Sequence, residues 1–315
     1  MYSENRIKDV LFFLRALSSN QLARLFPSLY LRLNKETGRG NELKNPEQIS
    51  DYFFGCFKDY LNHLGNNINY ANDYLKGKHV LEYGPGNILG IALLFYAYGA
   101  QQVHCVDRFP FEVFSKENLK VYHMIINSLK ENERIRACSA FKKYGEPQSG
   151  FDPKKIKYFV TKNGLIGENN RYDLIISRAV LEHVSDLDKT FYDFSKALKK
   201  GGVSIHQVDL RSHNLDRYKD FDFLTLSPFV YRLMYSHKGF PNRWRIDQYK
   251  ELADKFSLKY PKFESTGKLD PEKIKIIHSK LAKPFRALNQ DDISWLGFWM
   301  IIEHDHFAKI SKNGK

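Results

Sequence analysis

The chain has 315 residues, 43% hydrophobic and 27% charged, which suits one large folded domain with additions and excludes a disordered segment. A formal net charge of +13 favours acidic partners (phosphorylated metabolites, anionic headgroups, nucleic acid), yet the basic residues occur only in scattered pairs such as Lys142-Lys143, Lys154-Lys155 and Lys199-Lys200, so no nucleic-acid arm is read. Three widely spaced cysteines, Cys56, Cys105 and Cys138, exclude a disulfide framework and a zinc finger and point to a reducing, cytoplasmic setting; no membrane span or signal peptide is read.

The first elements in chain order are helical. Ile7, Val10, Leu11 and Leu14 recur at helical spacing, and Leu22, Leu25, Phe26 and Leu29 repeat the pattern after an expected break at Ser18–Asn20. Pro27 is set to start or kink a helix. Arg6, Lys8, Arg15, Arg24 and Arg32 decorate these segments, which read as a cap packed on the core, with peripheral contact to a membrane surface as the second reading. A polar loop is expected over 37–45. Pro46 then opens a helix with Ile49, Phe53 or Phe54, Phe57, Tyr60 and Leu61 on one face.

Short apolar strands then alternate with helices. Strands are expected at 78–83, 103–107, 156–160, 172–177 and 203–208. Helices are expected at 88–98, 111–133 and 187–198, the last stopped by Lys199-Lys200-Gly201-Gly202. A helix at 246–256, a strand at 258–263, a helical insert at 271–295 and a strand at 297–303 follow. Such alternation predicts an α/β chain with a doubly wound, mostly parallel sheet. The expected division is a helical cap over 1–74 and a catalytic domain over 75–315, with insertions at about 214–245 and 268–295.

The stretch Glu82-Tyr83-Gly84-Pro85-Gly86-Asn87-Ile88-Leu89-Gly90 follows a strand and opens a helix, so its glycines can turn the backbone sharply and bring it close to a ligand. A dinucleotide fingerprint needs a third glycine where Leu89 stands, which disfavours NAD. Glu82 before the bend would repel a pyrophosphate and attract an ammonium or sulfonium group. Asp107, ending the second strand, is placed to accept two hydrogen bonds from a ribose diol. Together they describe a site for a cationic nucleoside.

The stretches VLEYGPGNILG, VDRF and RYDLIISRAVLEHVSDLDKTFYDFSKALKKGGVSIHQVDL resemble the class I methyltransferases, strongly over about residues 75–210 and more weakly to the C-terminus. More narrowly they are similar to bacterial methyltransferase-domain proteins of surface-polysaccharide or secondary metabolism. The resemblance implies a Rossmann-like sheet of seven strands, completed by the last two, and S-adenosylmethionine as cofactor. It implies that Gly84, Pro85 and Gly86 pass under the methionine part, that Glu82 helps position it, and that Asp107, with Arg108, holds the ribose. Ser177 and Arg178 would border the methyl-transfer centre, Arg178 having a structural ion pair as its other reading. The family's acidic residue near adenine falls here to Thr161-Lys162, a departure from its pattern.

Methyl transfer to a hydroxyl needs an aligned nucleophile and a base, expected near the carboxyl ends of strands four and five. His183, His206, Asp209 and His213 are the candidates there. His213 is the favoured general base, Asp209 its orienter or a substrate ligand, His183 a further catalytic group and His206 a substrate contact. Asp209 and His213 could bind a metal but lack a clear third ligand, so no metal is expected. The aromatic-rich insertion reads as an acceptor lid, with Asn242, Arg243 and Arg245 offering donors; a structural turn is the equal alternative for these three. The function expected is O-methylation of a small polar or glycan acceptor. RNA or protein methylation and cofactor binding without turnover are the alternatives.

Overall fold

The computed structural model describes residues 6–34, 45–111, 113–256 and 259–303. Four helices come first: α1 (Arg6–Leu25), α2 (Pro27–Asn34), α3 (Pro46–His63) and α4 (Ala71–Leu75). Then follow β1 (His79–Tyr83), α5 (Gly90–Ala97), β2 (Gln102–Asp107), α6 (Lys116–Ser128), α7 (Glu131–Ser139), β3 (Ile156–Val160), β4 (Tyr172–Arg178), α8 (Leu187–Ala197) and β5 (Leu198–Asp209). The chain ends with α9 (Pro228–Tyr235), α10 (Ile246–Lys255), β6 (Lys259–Lys268), α11 (Pro271–His278), α12 (Lys283–Arg286), α13 (Gln290–Ser294) and β7 (Trp295–Glu303).

The seven strands form one sheet in the order β3-β2-β1-β4-β5-β7-β6. β1 to β5 run parallel, and β7 is antiparallel to both β5 and β6. The order reverses direction between β1 and β4, so a crevice opens at the carboxyl ends of those two strands, which is where ligands bind in such sheets. Both faces are covered. Phe53, Phe57, Phe95, Tyr122 and Ile125 fill one core, and Leu187, Phe191, Phe194, Ile246 and Tyr249 fill the other. The architecture is the Rossmann-like α/β one.

A third apolar cluster lies apart from the sheet. Ala16 of α1, Phe221 and Phe223, Tyr231 and Met234 of α9, Ile274 and Ile277 of α11, and Ile293 of α13 pack there, with Phe12 and Phe13 against them. The first helix therefore joins both insertions in one helical layer. By contrast α3 and α4 belong to the sheet's own core through Phe53, Phe57, Tyr60, Ala71 and Leu75, so a boundary at residue 74 does not follow the packing.

Several expected boundaries shift for physical reasons. α1 runs unbroken through Ser18–Asn20, because the Asn20 side chain donates to the Leu233 carbonyl at 2.8 Å and accepts the His237 amide at 2.9 Å. Those tertiary bonds outweigh its weak helix propensity. The break falls at Phe26, ahead of Pro27. The 111–133 stretch splits into α6 and α7. Lys199–Gly202 does not end a helix in solvent but belongs to β5, across an irregularity opposite Tyr172 and Leu174. The 271–295 insert is three short helices. Most of the loop expected at 37–45 lies outside the described residues; Asn45 is described, and its side chain caps α3 by accepting the Glu47 amide.

The outer side of the first two helices is apolar: Val10, Leu11, Leu14, Leu25, Phe26, Leu29 and Leu33 are all exposed. Among the described residues no helix is long and apolar enough to cross a membrane.

Candidate active site

β1 carries its last residues to the bend at Gly84–Gly86. Gly84 has φ +60° and Gly86 φ +71°, backbone that a side chain resists. A Cβ on Gly84 would stand 2.5 Å from Val180 Cγ2, so the bend is pressed against the turn that follows β4. Glu82 lies beneath it, 7% exposed. Its carboxylate meets Cys105 Sγ at 3.6 Å, takes the Ala92 amide, and forms no ion pair among the described residues. Burial, with Asp107 nearby, pushes its pKa up to about 8. Asp107 ends β2 and is also buried. Its carboxylate receives the Phe109 amide at 2.9 Å and is turned toward the amides of Arg108 and Gly86. Burial raises its pKa in spite of those donors.

A cavity opens over the bend, about 360 Å³ with its mouth included, lined by Glu82, Gly84, Pro85 and Arg178 and roofed by Tyr52, Phe53, Cys56 and Tyr60 of α3. Its water-reachable interior is only about 30 Å³, so a nucleoside enters only when roof side chains or Arg178 move. Of the roof residues, Phe53 and Tyr60 lie on the apolar face expected from sequence, and an apolar helix face looks the same whether it covers a ligand or a sheet. A wider cavity of about 590 Å³ lies between Asn163 and Leu165 on one side and Val184, Ser185 and Thr190 on the other.

The donor set fits a cationic nucleoside: side-chain-free backbone, an unpaired buried carboxylate under it, and a second carboxylate one strand away. Arg108 stands beside that second carboxylate. Thr161 donates its amide to the Asp107 carbonyl and its hydroxyl to the Leu165 carbonyl, which closes a tight turn against Arg108. Lys162 is exposed.

Ser177 and Arg178 part company. Ser177 is fully buried, with its hydroxyl 2.7 Å from His206 Nδ1. His206 is fully buried as well, packed on Phe194 and held neutral, its pKa lowered to about 3 by burial. This pair is interior to the sheet, which corrects the expectation that Ser177 borders the transfer centre and that His206 touches substrate. Arg178 does line the cavity, while pairing with Asp59 at 3.0 Å and lying 5.5 Å over the Trp299 ring.

The turns after β4 and β5 bring together Glu182, His183 and His213, whose ligand-type atoms all lie within 4.8 Å of one another. The two imidazole rings stand edge to face at 4.8 Å. Glu182 is 1% exposed; one carboxylate oxygen takes the Asp209 amide and the other has no partner among the described residues. Burial raises its pKa well above the usual carboxylate range. His183 sits against the backbone of Gly239 and Phe240, with Nδ1 unpartnered, and burial, then His213, lowers its pKa to about 3. His213 has φ +51° and its Nδ1 is 2.9 Å from the Arg211 carbonyl, which leaves Nε2 outward. Asp209 does not orient it: the Asp209 carboxylate accepts the Arg211 amide and faces the Arg211 guanidinium. From sequence, Glu182 was only the neighbour of His183; the signal was an acid and a histidine in one turn after a strand.

Asn242, Arg243 and Arg245 are braces. Asn242 donates to the Leu181 and Val184 carbonyls at 2.7 and 3.1 Å, and its amide bonds the Glu182 carbonyl, so it stitches the insertion onto the Glu182–His183 turn. Arg243 donates to the Phe223 and Leu226 carbonyls and lies 3.8 Å over the Tyr231 ring. Arg245 is 1% exposed and bonds the Leu210, Ile293 and Trp295 carbonyls. The donors that are engaged, Asn242 Nδ2, one terminal nitrogen of Arg243 and both terminal nitrogens of Arg245, bond backbone carbonyls, which corrects the expected substrate contacts in favour of a structural turn.

A family model described as a methyltransferase domain matches residues 58–260. The chain belongs to that family, and the matched region is an S-adenosylmethionine-dependent methyltransferase domain. The search of curated proteins gives no match. Among solved structures, Haemonchus contortus phosphoethanolamine N-methyltransferase 2, with phosphomonomethylethanolamine and S-adenosylhomocysteine bound, is 18% identical over 75% of this chain and 53% of its own, at a TM-score of 0.40. The same enzyme with S-adenosylmethionine is 16% identical over 84% and 61%, at 0.41. A Mesorhizobium loti S-adenosylmethionine-dependent methyltransferase is 14% identical over 72% and 91%, at 0.42. The chain thus spans little more than half of the first two, and nothing about its acceptor follows from these likenesses.

Proposed function

We propose that this chain transfers a methyl group from S-adenosylmethionine to a hydroxyl of a small polar or glycan acceptor, of the surface-glycan or secondary-metabolite kind. One observation carries the reading: the glycine bend with its unpaired buried carboxylate, and the Glu182–His183–His213 cluster two turns away, open on the same end of the sheet. S-adenosylmethionine, when bound, supplies a methyl group on a sulfonium leaving group. The protein's share is to hold the cofactor through Glu82, Gly84, Gly86 and Asp107, to align the acceptor and to take its proton. His213 Nε2 offers the outward lone pair for that proton, its other nitrogen being anchored on Arg211. The 214–245 insertion serves as a lid, stitched to the catalytic turn by Asn242. Fixed positive charge beside the site, from Arg108 near His183, supports an acceptor that also carries an anionic group.

The test is mass spectrometry of hydroxyl-bearing sugars, sugar phosphates and small hydroxy acids incubated with enzyme and S-adenosylmethionine. The expected result is a gain of one methylene on oxygen. Methylation confined to amines or RNA would sink the assignment.

A further inference from the structure

Three ligand-type atoms, from Glu182, His183 and His213, meet between the turns after β4 and β5. His213 presents Nε2, because Nδ1 is engaged at 2.9 Å by the Arg211 carbonyl. His183 keeps a buried Nδ1 with no partner, while its ring rests on the Gly239 and Phe240 backbone. Glu182, 1% exposed, accepts the Asp209 amide on one oxygen and leaves the other unpartnered. A buried acceptor without a donor is costly, so such a group survives where something positive fills the gap.

A metal answers this arrangement better than a proton does. One proton satisfies two acceptors in a line, whereas three convergent acceptors make a facial set. Imidazole ligands whose second nitrogen is held by a backbone carbonyl are the usual outer support of a metal site, since the carbonyl fixes the tautomer and aims the lone pair. The ligand-type atoms stand within 4.8 Å of one another. Around a divalent ion with bonds of about 2.1 Å they would stand roughly 3.3 Å apart, so the turn must close by an ångström or so. That turn carries two residues in left-handed backbone, His213 at φ +51° and Asn214 at φ +64°. Left-handed non-glycine residues persist where the surroundings hold them.

We propose that Glu182, His183 and His213 bind one divalent first-row transition-metal ion, and that its remaining positions receive the acceptor oxygen. Two imidazoles and one carboxylate are a donor set of zinc and related ions, and three protein ligands leave room for an exogenous oxygen. The site deepens the hydroxyl-methylation reading and rests on it only for where the acceptor sits. With the ion in place His213 is a ligand rather than a base, and the hydroxyl proton passes from the ion-held oxygen to water.

The test uses the full chain, stripped with a chelator, then titrated with Zn²⁺ by calorimetry and with Co²⁺ by visible absorption, no acceptor being present. One ion per chain, with the ligand-field bands of low-coordinate Co²⁺, is expected. His213→Gly removes one ligand while relieving the left-handed backbone, so the variant stays folded by circular dichroism; its affinity for both ions should fall on the order of 100-fold or more. Glu182→Gln should lose the ions likewise. No uptake by the full chain, or unchanged uptake by His213→Gly, overturns the proposal. Oxygen methylation that persists in chelator, by a chain that takes up neither ion, overturns the metal while leaving the hydroxyl reading standing.

Discussion

The two halves of the crevice are built by opposite means. On the β1–β2 side the backbone turns at glycines, Gly84 and Gly86, whose positive φ costs nothing sterically. On the β4–β5 side Gly239 is left-handed at φ +74°, but most of the left-handed residues are not glycine: Ala179, His213, Asn214, Phe221 and Arg243. Those conformations cost of order 1 kcal/mol or more each and have to be held by their surroundings. Asn242 and the buried guanidinium groups of Arg243 and Arg245 do the holding, through carbonyls on both turns and on the insertion. The lesson is that a cofactor cradle can be written in one short local motif, whereas the acceptor wall is assembled from segments far apart in the chain.

Three measurements can break or sharpen this contrast. The largest effect is expected at the bend. Gly84→Ala puts a Cβ 2.5 Å from Val180 in left-handed backbone, and calorimetry should show S-adenosylmethionine affinity reduced by 100-fold or more, partly recovered in the double variant with Val180→Ala. Unchanged affinity would mean that the backbone there does not approach the cofactor. A middle effect is expected for Asn242→Ala. It strips the carbonyl bonds that fix the Glu182–His183 turn, so kcat should drop by roughly 5- to 30-fold, from about 1–2 kcal/mol of lost positioning, with cofactor affinity intact. A matching loss of cofactor affinity would erase the distinction between the halves.

The smallest effect is in pH. Glu82 has its pKa raised to about 8 in the protein alone, and a cationic ligand favours its ionised form, so its pKa is lower in the complex. Binding therefore releases a proton, and affinity rises with pH until about 8 and levels off above it. A drop of about one pKa unit corresponds to about tenfold over the whole titration, of which roughly fivefold falls between pH 6 and 8. Glu82→Gln should flatten the profile, and a flat wild-type profile would show that Glu82 does not sense the cofactor's charge.

What could be read from the sequence follows the same division. The strands at 156–160 and 172–177, the glycine bend and the acids Glu82 and Asp107 were legible because each is local: a short apolar run, a turn residue, a carboxylate at a strand end. His206 was misread, and Arg243 and Arg245 were left between substrate contact and structural turn, because burial is not written in residue type. An arginine that satisfies carbonyls 35 and 48 residues away looks in the sequence like one that awaits an anion. The roof of Tyr52, Phe53, Cys56 and Tyr60 was hidden in an amphipathic pattern. His183 and His213 were grouped from their places at two strand ends, but Glu182 was not added, since its burial is not written in the sequence.

The clasp of Asn20 on the Leu233 carbonyl joins positions 213 residues apart. During synthesis this contact of the first helix must wait until β1 to β5 and α9 have emerged. The glycine bend after β1 is therefore synthesised well before the layer that α1 forms with α9 can close.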